Sequence, residues 1–150
     1  MSEHVLEREQ FLDRPLEQVF AFFSAARNLE ALTPAWLRFE VMTPEPVEMR
    51  AGTLIEYRLS VHGVPLKWVS RIEAWEHNGS FVDRQLRGPY RLWHHTHEFV
   101  ALGDGTLVRD RVRYAIPLGP LGEVAHMLFV QRDLDDVFAY RRSAVTALLG

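Results

Sequence analysis

The segment FVDRQLRGPYRLWHHTHEF, residues 81–99, carries two runs of strand-forming residues on either side of a Gly-Pro turn. This pattern predicts antiparallel strands over residues 80–87 and 91–102, joined through the connection GPYR. Side chains alternate between the two faces of a strand, and symmetrical pairing across the connection would put Asp83 directly opposite His95. We therefore expect these two side chains to lie on the same face of a sheet.

Three further turn signals extend this hairpin into a meander that begins near Thr53. They are His62-Gly63-Val64-Pro65, Asn78-Gly79 and Asp104-Gly105. Two-residue loops of this kind fix which residues face each other. Central turn residues at Gly63-Val64, Asn78-Gly79 and Asp104-Gly105 predict these outer pairs of opposite charge: Glu56 with Arg71, Glu73 with Arg84, and Glu98 with Arg111.

The face opposite these charge pairs is the predicted inner face of the sheet. The Asp104-Gly105 turn also predicts pairing of His97 with Val112 and of His95 with Tyr114, whereas His94 and Trp75 point outward. The apolar residues of the inner face are Ile55, Tyr57, Leu59, Trp68, Ile72, Phe81, Trp93, Phe99, Val112, Tyr114 and Ile116. Its polar residues are Asp83, Gln85, His95, His97 and Asp110.

The remaining segments predict a cover for this inner face. A strand over residues 3–12 precedes two short helices, PLEQVFAFFS and NLEALT, and a further strand, WLRFEVMTPEP. Residues 123–149 have the periodicity of a long helix. Its predicted apolar stripe comprises Met127, Val130, Leu134, Val137, Phe138, Val145 and Leu148. The order predicts an α+β fold, with a curved antiparallel β-sheet wrapped around the long C-terminal α-helix and two short helices after the first strand.

The chain resembles the START-like superfamily, also called SRPBCC or helix-grip, over nearly its whole length. The motifs that carry the resemblance are FFSAARNLEALTPAWLRF, FVDRQLRGPYRLWHHTHEF, RDRVRYAIPLGPLG and FVQRDLDDVFAYR. This superfamily includes the major birch pollen allergen, lipid-transfer domains and polyketide cyclases. The sequence is most similar to bacterial ligand-binding members of the cyclase/dehydrase type. The resemblance implies a helix-grip fold with an apolar cavity between the sheet and the C-terminal helix, but the fold alone does not choose between binding and catalysis.

Composition restricts the protein class further. The chain has 150 residues, of which 47% are hydrophobic, enough for a single domain over residues 1–150. A net charge of −3 without a basic block argues against nucleic acid as a partner. Cysteine is absent, and we find neither a signal peptide nor an apolar run long enough for an integral membrane segment. We therefore expect a cytoplasmic protein. The sequence leaves open whether it forms a homodimer.

The inward histidines His95 and His97 admit four interpretations. They are core groups whose hydrogen bonds are made within the protein, contacts for the polar end of a ligand, metal ligands, or acid–base groups. A metal would need Asp83 or Asp110 as a third ligand on an aromatic surface, so we expect no metal and no cofactor. For a cyclase or dehydratase acting on an enolisable polyketide, His95 and Asp83 are the candidate catalytic pair.

Binding of a small hydrophobic molecule with a polar end is the function that we expect. No nucleophile motif, phosphate loop or cofactor motif supports a specific enzyme class. Trp36 and Trp75, if exposed, would mark either a cavity rim or a surface for a protein partner. The predicted ligand-binding residues are Tyr57, Trp68, Phe81, Asp83, Gln85, Trp93, His95, His97, Asp110, Tyr114, Phe138 and Arg141.

Arg141 is a charged residue inside the apolar stripe of the last helix. Its guanidinium stays charged and cannot remain unpaired in an apolar interior. One interpretation is that the stem packs while the head reaches water. The other is that Arg141 pairs with Asp83, Asp110 or a ligand carboxylate and anchors charge in the cavity.

Overall fold

We describe residues 2–149 from a computed structural model. The seven strands are β1 His4–Leu12, β2 Glu40–Val41, β3 Leu54–Val61, β4 Val64–Glu76, β5 Ser80–Arg87, β6 Leu92–Leu102 and β7 Gly105–Ala115. They form one antiparallel sheet in the order β1-β7-β6-β5-β4-β3-β2. The helices are α1 Leu16–Ser24, α2 Asn28–Ala31, a 3-10 turn Ala35–Leu37, α3 Gly119–Ala125, a π-helical turn His126–Val130 and α4 Gln131–Leu149. This is the predicted helix-grip architecture.

Three groups of buried residues hold the helices against the inner face of the sheet. Near one end, Phe20 of α1 and Val145 of α4 pack with Phe81 and Phe99. Nearer the start of α4, Leu134 and Phe138 pack with residues of β6 and β7. A third group packs against the inner face of β3 and β4. Burial of these apolar side chains is the main force that places α4 across the sheet.

Two hairpin turns begin one residue earlier than the sequence predicted. The central residues are His62-Gly63 and Gly103-Asp104, and His62, Gly63 and Gly103 have positive φ. Tight hairpins favour this left-handed backbone at their central positions, and glycine adopts it without steric cost. A turn displaced by one residue displaces the pairing by two, which preserves the face of each side chain.

The predicted partners are therefore wrong, although the predicted faces hold for β6 and β7. His97 pairs with Asp110 rather than Val112, and His95 pairs with Val112 rather than Tyr114. The outer charge contacts change as well, and Glu56 lies opposite Val69. Glu56 contacts Lys67 instead of Arg71, and Glu98 contacts Arg109 instead of Arg111. The predicted pairing of Asp83 with His95 across β5 and β6 is confirmed.

A β-bulge changes the face of one tryptophan. The pairing of β4 with β5 shifts between Ile72 and Ala74, so that Trp75 lies opposite Phe81. Trp75 packs against Phe20 and Phe81, with ring centroids 5.1 and 5.6 Å away. The prediction that Trp75 points outward is wrong, because the extra residue of a bulge reverses the alternation beyond it.

The π-helical turn similarly changes the phase of the last helical segment. The predicted apolar stripe includes Met127 and Leu148, but these residues are 75% and 55% exposed. Val145 of the predicted stripe is buried, and at the end of α4 Leu149 is buried in place of Leu148. The wider π turn breaks the regular helical period, which accounts for Met127. Within residues 2–149, no helix combines the length and apolarity needed to cross a membrane.

Candidate functional site

A cavity of about 360 Å³ lies between the inner face of the sheet and the helical segments. Its sheet wall comes from β3, β4, β5 and β6, and its helical wall comes from the π turn and α4. The lining is mostly apolar. Its hydrophobic side chains include Leu29, Trp36, Leu37, Phe39, Tyr57, Leu59, Leu66, Trp68, Tyr90, Trp93, Ile116, Val130, Leu134 and Val137. A lining of this kind suits an apolar ligand body.

Three elements meet at one side of this cavity. Trp36 and Asp133 line it, and the exposed ring of His62 contacts both of them. The His62 Nε2 atom is 2.8 Å from Asp133 Oδ2, and the His62 ring stacks on Trp36 at 5.8 Å. Trp36 is thus a residue of the cavity rim, one of the two roles that its sequence position suggested.

Four polar residues from adjacent strands form two histidine–carboxylate contacts, and of these residues His95, His97 and Asp110 are buried while Asp83 is half-buried. His97 Nε2 is 2.5 Å from Asp83 Oδ2, and His95 Nε2 is 2.8 Å from Asp110 Oδ1. The two imidazole rings stack, with centroids 3.7 Å apart. Alternation along β6 puts both rings on the inner face, and β5 and β7 each supply one carboxylate. We call these four residues and Arg141 the polar cluster.

Arg141 connects the polar cluster to helix α4. Its Nη2 atom is 3.2 Å from Asp110 Oδ1, and its side chain is only 12% exposed. The guanidinium lies over the rings of Phe23 and Phe138, 5.1 and 5.7 Å from their centroids. The structure therefore agrees with the interpretation in which Arg141 pairs with an inner acid.

The environment of the polar cluster determines its protonation. Burial opposes ionisation of Asp83, but the hydrogen bond from His97 and the electrostatic attraction of His97, His95 and Arg141 together outweigh it and keep the pKa of Asp83 below its ordinary value. Burial also opposes ionisation of Asp110, yet the charge of Arg141 and the contact with His95 hold its pKa well below the ordinary value. Burial, followed by the neighbouring His95, lowers the pKa of His97 to about 4. At neutral pH both carboxylates are ionised, and a neutral His97 donates its Nε2 hydrogen to Asp83.

The hydrogen-bond pairing differs from the sequence-based catalytic pair. Asp83 and His95 are opposite in register, but the hydrogen bonds run diagonally, from His97 to Asp83 and from His95 to Asp110. The closest approach of His95 Nδ1 to Asp83 Oδ2 is 3.9 Å, too long for a hydrogen bond. The carboxylate that orients His95 is therefore Asp110, because the β6–β7 register is displaced by two residues from the predicted one.

The predicted ligand-binding residues divide into two sets by position. Those that line the cavity are Tyr57, Trp68, Asp83, Trp93, His95, His97 and Arg141. Those that lie outside its lining are Phe81, Gln85, Asp110, Tyr114 and Phe138. In the second set, Gln85 bonds to the backbone of Tyr90, and Phe81 stacks on His97 from the side of the aromatic core. Asp110 reaches the cavity only through His95 and Arg141.

Sequence reasoning missed the lining that comes from connections and from the start of the helical segment. Thr33, Leu37 and Phe39 precede β3, and Pro89 and Tyr90 belong to the GPYR connection. The high density of aromatic residues in these stretches is the sequence signal that could have identified this part of the lining. Strand alternation does not extend to such segments, so it could not assign them a face.

Among residues 2–149, two groups of side chains have the composition of a metal site. One ligand atom from each of Asp83, His95 and His97 lies within 4.8 Å of the others, and the same holds for His4, Glu123 and His126. In the first group, both Nε2 atoms already contact carboxylates. In the second, Tyr114 contacts His126, and the rings of His4 and His126 stack at 3.7 Å. Parallel stacked rings do not aim their lone pairs at one point, so neither group is preorganised for a metal.

The fold and cavity define a helix-grip protein, and comparisons with known proteins assign its family. Residues 12–139 match the family model described as polyketide cyclase / dehydrase and lipid transport. The chain belongs to this family. A search of the curated proteins finds no significant match to the sequence.

Solved structures with low sequence identity share the fold. The Zhui aromatase/cyclase from Streptomyces sp. R1128 has a TM-score of 0.77 at 12% identity, with 99% of this chain and 94% of that chain covered. A START superfamily protein from Mycobacterium smegmatis has a TM-score of 0.67 at 14% identity, with 97% of each chain covered. TTHA0849 from Thermus thermophilus has a TM-score of 0.66 at 19% identity, with 98% of this chain and 100% of that chain covered.

Replacement of Arg141 by Met should destabilise the protein by about 3–5 kcal/mol, because it leaves Asp110 ionised and buried without its guanidinium partner. Denaturant unfolding measures the loss. The matched control is Arg132→Met, which changes an exposed arginine of the same helix and should alter stability by about 0.5 kcal/mol or less. Equal effects of the two substitutions would contradict a buried ion pair.

The free energy of unfolding should fall as the pH falls from about 6.5 to about 4. His97 has a pKa of about 4 in the folded protein, below its ordinary value of 6.5, so the unfolded chain binds more protons in this interval. His97 contributes stability above this interval and loses it on acidification, by about 3 kcal/mol. Denaturant unfolding across these pH values measures the slope, and His97→Gln should flatten it. An unchanged slope in this variant would assign the pH dependence to other groups.

Proposed function

We propose that the protein reversibly binds a small hydrophobic molecule that has a polar end. The observation that carries this proposal is an apolar cavity of about 360 Å³ into which charged residues of the polar cluster project. Ligand pockets in proteins combine an apolar wall with a few fixed polar groups in this way. The family description, which includes lipid transport, supports the same role.

The aromatic wall favours a flat or extended ligand body. Trp68 and Trp93 meet edge to face at 5.3 Å, and Tyr90 packs against both. The Trp68 indole donates a hydrogen bond to Ser70, which leaves its ring as an apolar surface. Such rings contribute a large contact area and lose little conformational freedom on binding.

The polar cluster orients the ligand within the cavity. Asp83, His95, His97 and Arg141 each contribute to the cavity lining, and their mutual contacts hold them in position. These side chains are already ordered by their mutual contacts, so a complementary ligand group loses little free energy to side-chain ordering. The ligand therefore enters with its polar end toward β5 and β6.

A substitution that fills the cavity should abolish binding and preserve the fold. Val137 of α4 lines the cavity and is half-buried, so Val137→Trp would place an indole in the ligand volume. Native mass spectrometry of the purified protein detects a retained small molecule. Quenching of tryptophan fluorescence during titration with 2-methylnaphthalene then measures cavity binding directly.

The matched control is Leu128→Trp, which adds the same side chain at a position that is 56% exposed. Circular dichroism should show that both variants are folded. Wild type and Leu128→Trp should bind the probe, and Val137→Trp should not. Equal binding by all three proteins would place the probe outside the cavity and contradict the proposal.

A second candidate function is acid–base catalysis of cyclisation or dehydration in the same cavity. The specific observation is the contact of His95 with Asp110, because a carboxylate that orients an imidazole is the usual arrangement of a general base. Arg141 holds Asp110 ionised, so Asp110 stabilises positive charge that develops on His95. The family description includes polyketide cyclases and dehydrases.

The catalytic candidate predicts separate effects on turnover and binding. With a poly-β-ketone thioester as substrate, His95→Asn should reduce turnover by at least about 100-fold, the usual contribution of one general base. Binding of 2-methylnaphthalene should stay within about threefold of wild type, since the apolar wall is unchanged. Mass spectrometry of the products measures turnover. Turnover that survives this substitution would exclude His95 as the base, whereas absence of turnover in wild type would favour binding alone.

A further inference from the structure

We propose that Asp83 selects the polar end of the ligand, and that this end is an uncharged hydrogen-bond donor such as a hydroxyl group rather than a carboxylate. This inference rests on the proposed binding function and assigns a chemical class to the ligand. It also makes Asp83 a specificity-determining residue. The argument comes from the charges, exposure and contacts of the polar cluster.

The polar cluster contains two carboxylates and one guanidinium. Arg141 lies 3.2 Å from Asp110, so the positive charge of the cluster already has a buried partner. Within residues 2–149 no arginine forms an ion pair with Asp83, and the group closest to it is the neutral imidazole of His97. A ligand carboxylate would become a third anion around one cation. Like charges brought together away from water repel strongly, so such a ligand binds poorly.

Asp83 is also the most exposed carboxylate of the cluster. Its side chain is 20% exposed and lines the cavity, whereas that of Asp110 is 10% exposed and lies behind His95. One Asp83 oxygen, Oδ2, accepts the hydrogen of His97. An ionised carboxylate offers about four acceptor positions and no donor. The ligand atom that meets Asp83 must therefore carry a hydrogen.

Arg141 does not provide a site for an anionic ligand group. Its Nη2 atom is buried and has no hydrogen-bond partner within residues 2–149, but it faces Asp110 at 3.2 Å. A ligand anion that approached this atom would compete with Asp110 and would remain close to both carboxylates. The other acid of the cavity lining, Asp133, contacts the exposed ring of His62 at the rim and is not part of the polar cluster. The charges of the polar cluster thus disfavour an anion at either position.

Three probes with the same ring system separate these effects. They are 2-naphthalenemethanol, 2-naphthoate and 2-methylnaphthalene, which carry a donor, an anion and no polar group at the same position. Titration near neutral pH, followed by tryptophan fluorescence, gives each dissociation constant. We expect the alcohol to bind at least about tenfold more tightly than naphthoate, and about threefold or more tighter than methylnaphthalene.

Asp83→Asn tests the residue. It removes the negative charge and preserves the shape, so the preference for the alcohol over naphthoate should fall below about threefold. The matched control is Asp133→Asn, the same substitution at the other acid of the cavity lining, which should leave the preference within about twofold of wild type. Circular dichroism and thermal unfolding verify that both variants are folded. If Asp83→Asn does not fold, the three wild-type constants still test the ligand class.

The outcomes separate this inference from the proposed function. Binding of naphthoate that equals or exceeds that of the alcohol would overturn the inference and leave the binding function intact. Equal binding of the alcohol and methylnaphthalene would overturn the requirement for a donor. An unchanged preference in Asp83→Asn, or an equal loss in Asp133→Asn, would remove Asp83 from its assigned role. Failure of all three probes to bind would overturn the proposed function and this inference together.

Discussion

The ion pair between Asp110 and Arg141 is the contact on which the rest of the inner architecture depends. It joins β7 to α4 through groups that are almost inaccessible to water, and burial of either charge alone would be costly. Apolar packing drives α4 onto the sheet, and the charge pair adds the requirement that Arg141 face Asp110 of β7. The pair thus constrains the position that packing gives to the helix, and the cavity is the space that the helix leaves uncovered. The same pair keeps Asp110 ionised and able to orient His95.

The sequence predicted the faces of most strands but not their partners, and the reason is geometric. Gly63 and Gly103 take up the left-handed backbone of their hairpins, and each turn lies one residue from its predicted position. Such a displacement moves every partner by two residues and keeps every side chain on its face. The prediction that His95 and His97 point inward is therefore correct, although their predicted partners on β7 are not. The predicted face of Trp75 is wrong because the preceding bulge adds one residue. No local residue pattern predicts that bulge.

The candidate site was predictable to the extent that it lies on regular strands. Tyr57, Trp68, Trp93 and the two histidines follow from alternation. Tyr90 and Trp36 do not, because they come from irregular segments whose direction depends on packing against distant parts of the chain. Contacts of this kind, such as that of His62 with Asp133, join residues far apart in sequence. Local periodicity contains no information about them.

The polar cluster also limits how one cavity could serve both binding and catalysis. With a pKa of about 4, His97 is a weak proton acceptor at neutral pH, and its Nε2 hydrogen is committed to Asp83. The pKa values of Asp83 and Asp110 lie below the ordinary value, so both carboxylates stay ionised at neutral pH. They accept hydrogen bonds without taking up protons. Among the four strand residues of the cluster, His95 is therefore the candidate for proton transfer. Three of the four act as fixed electrostatic partners, an arrangement that orients a bound molecule whether or not a reaction follows.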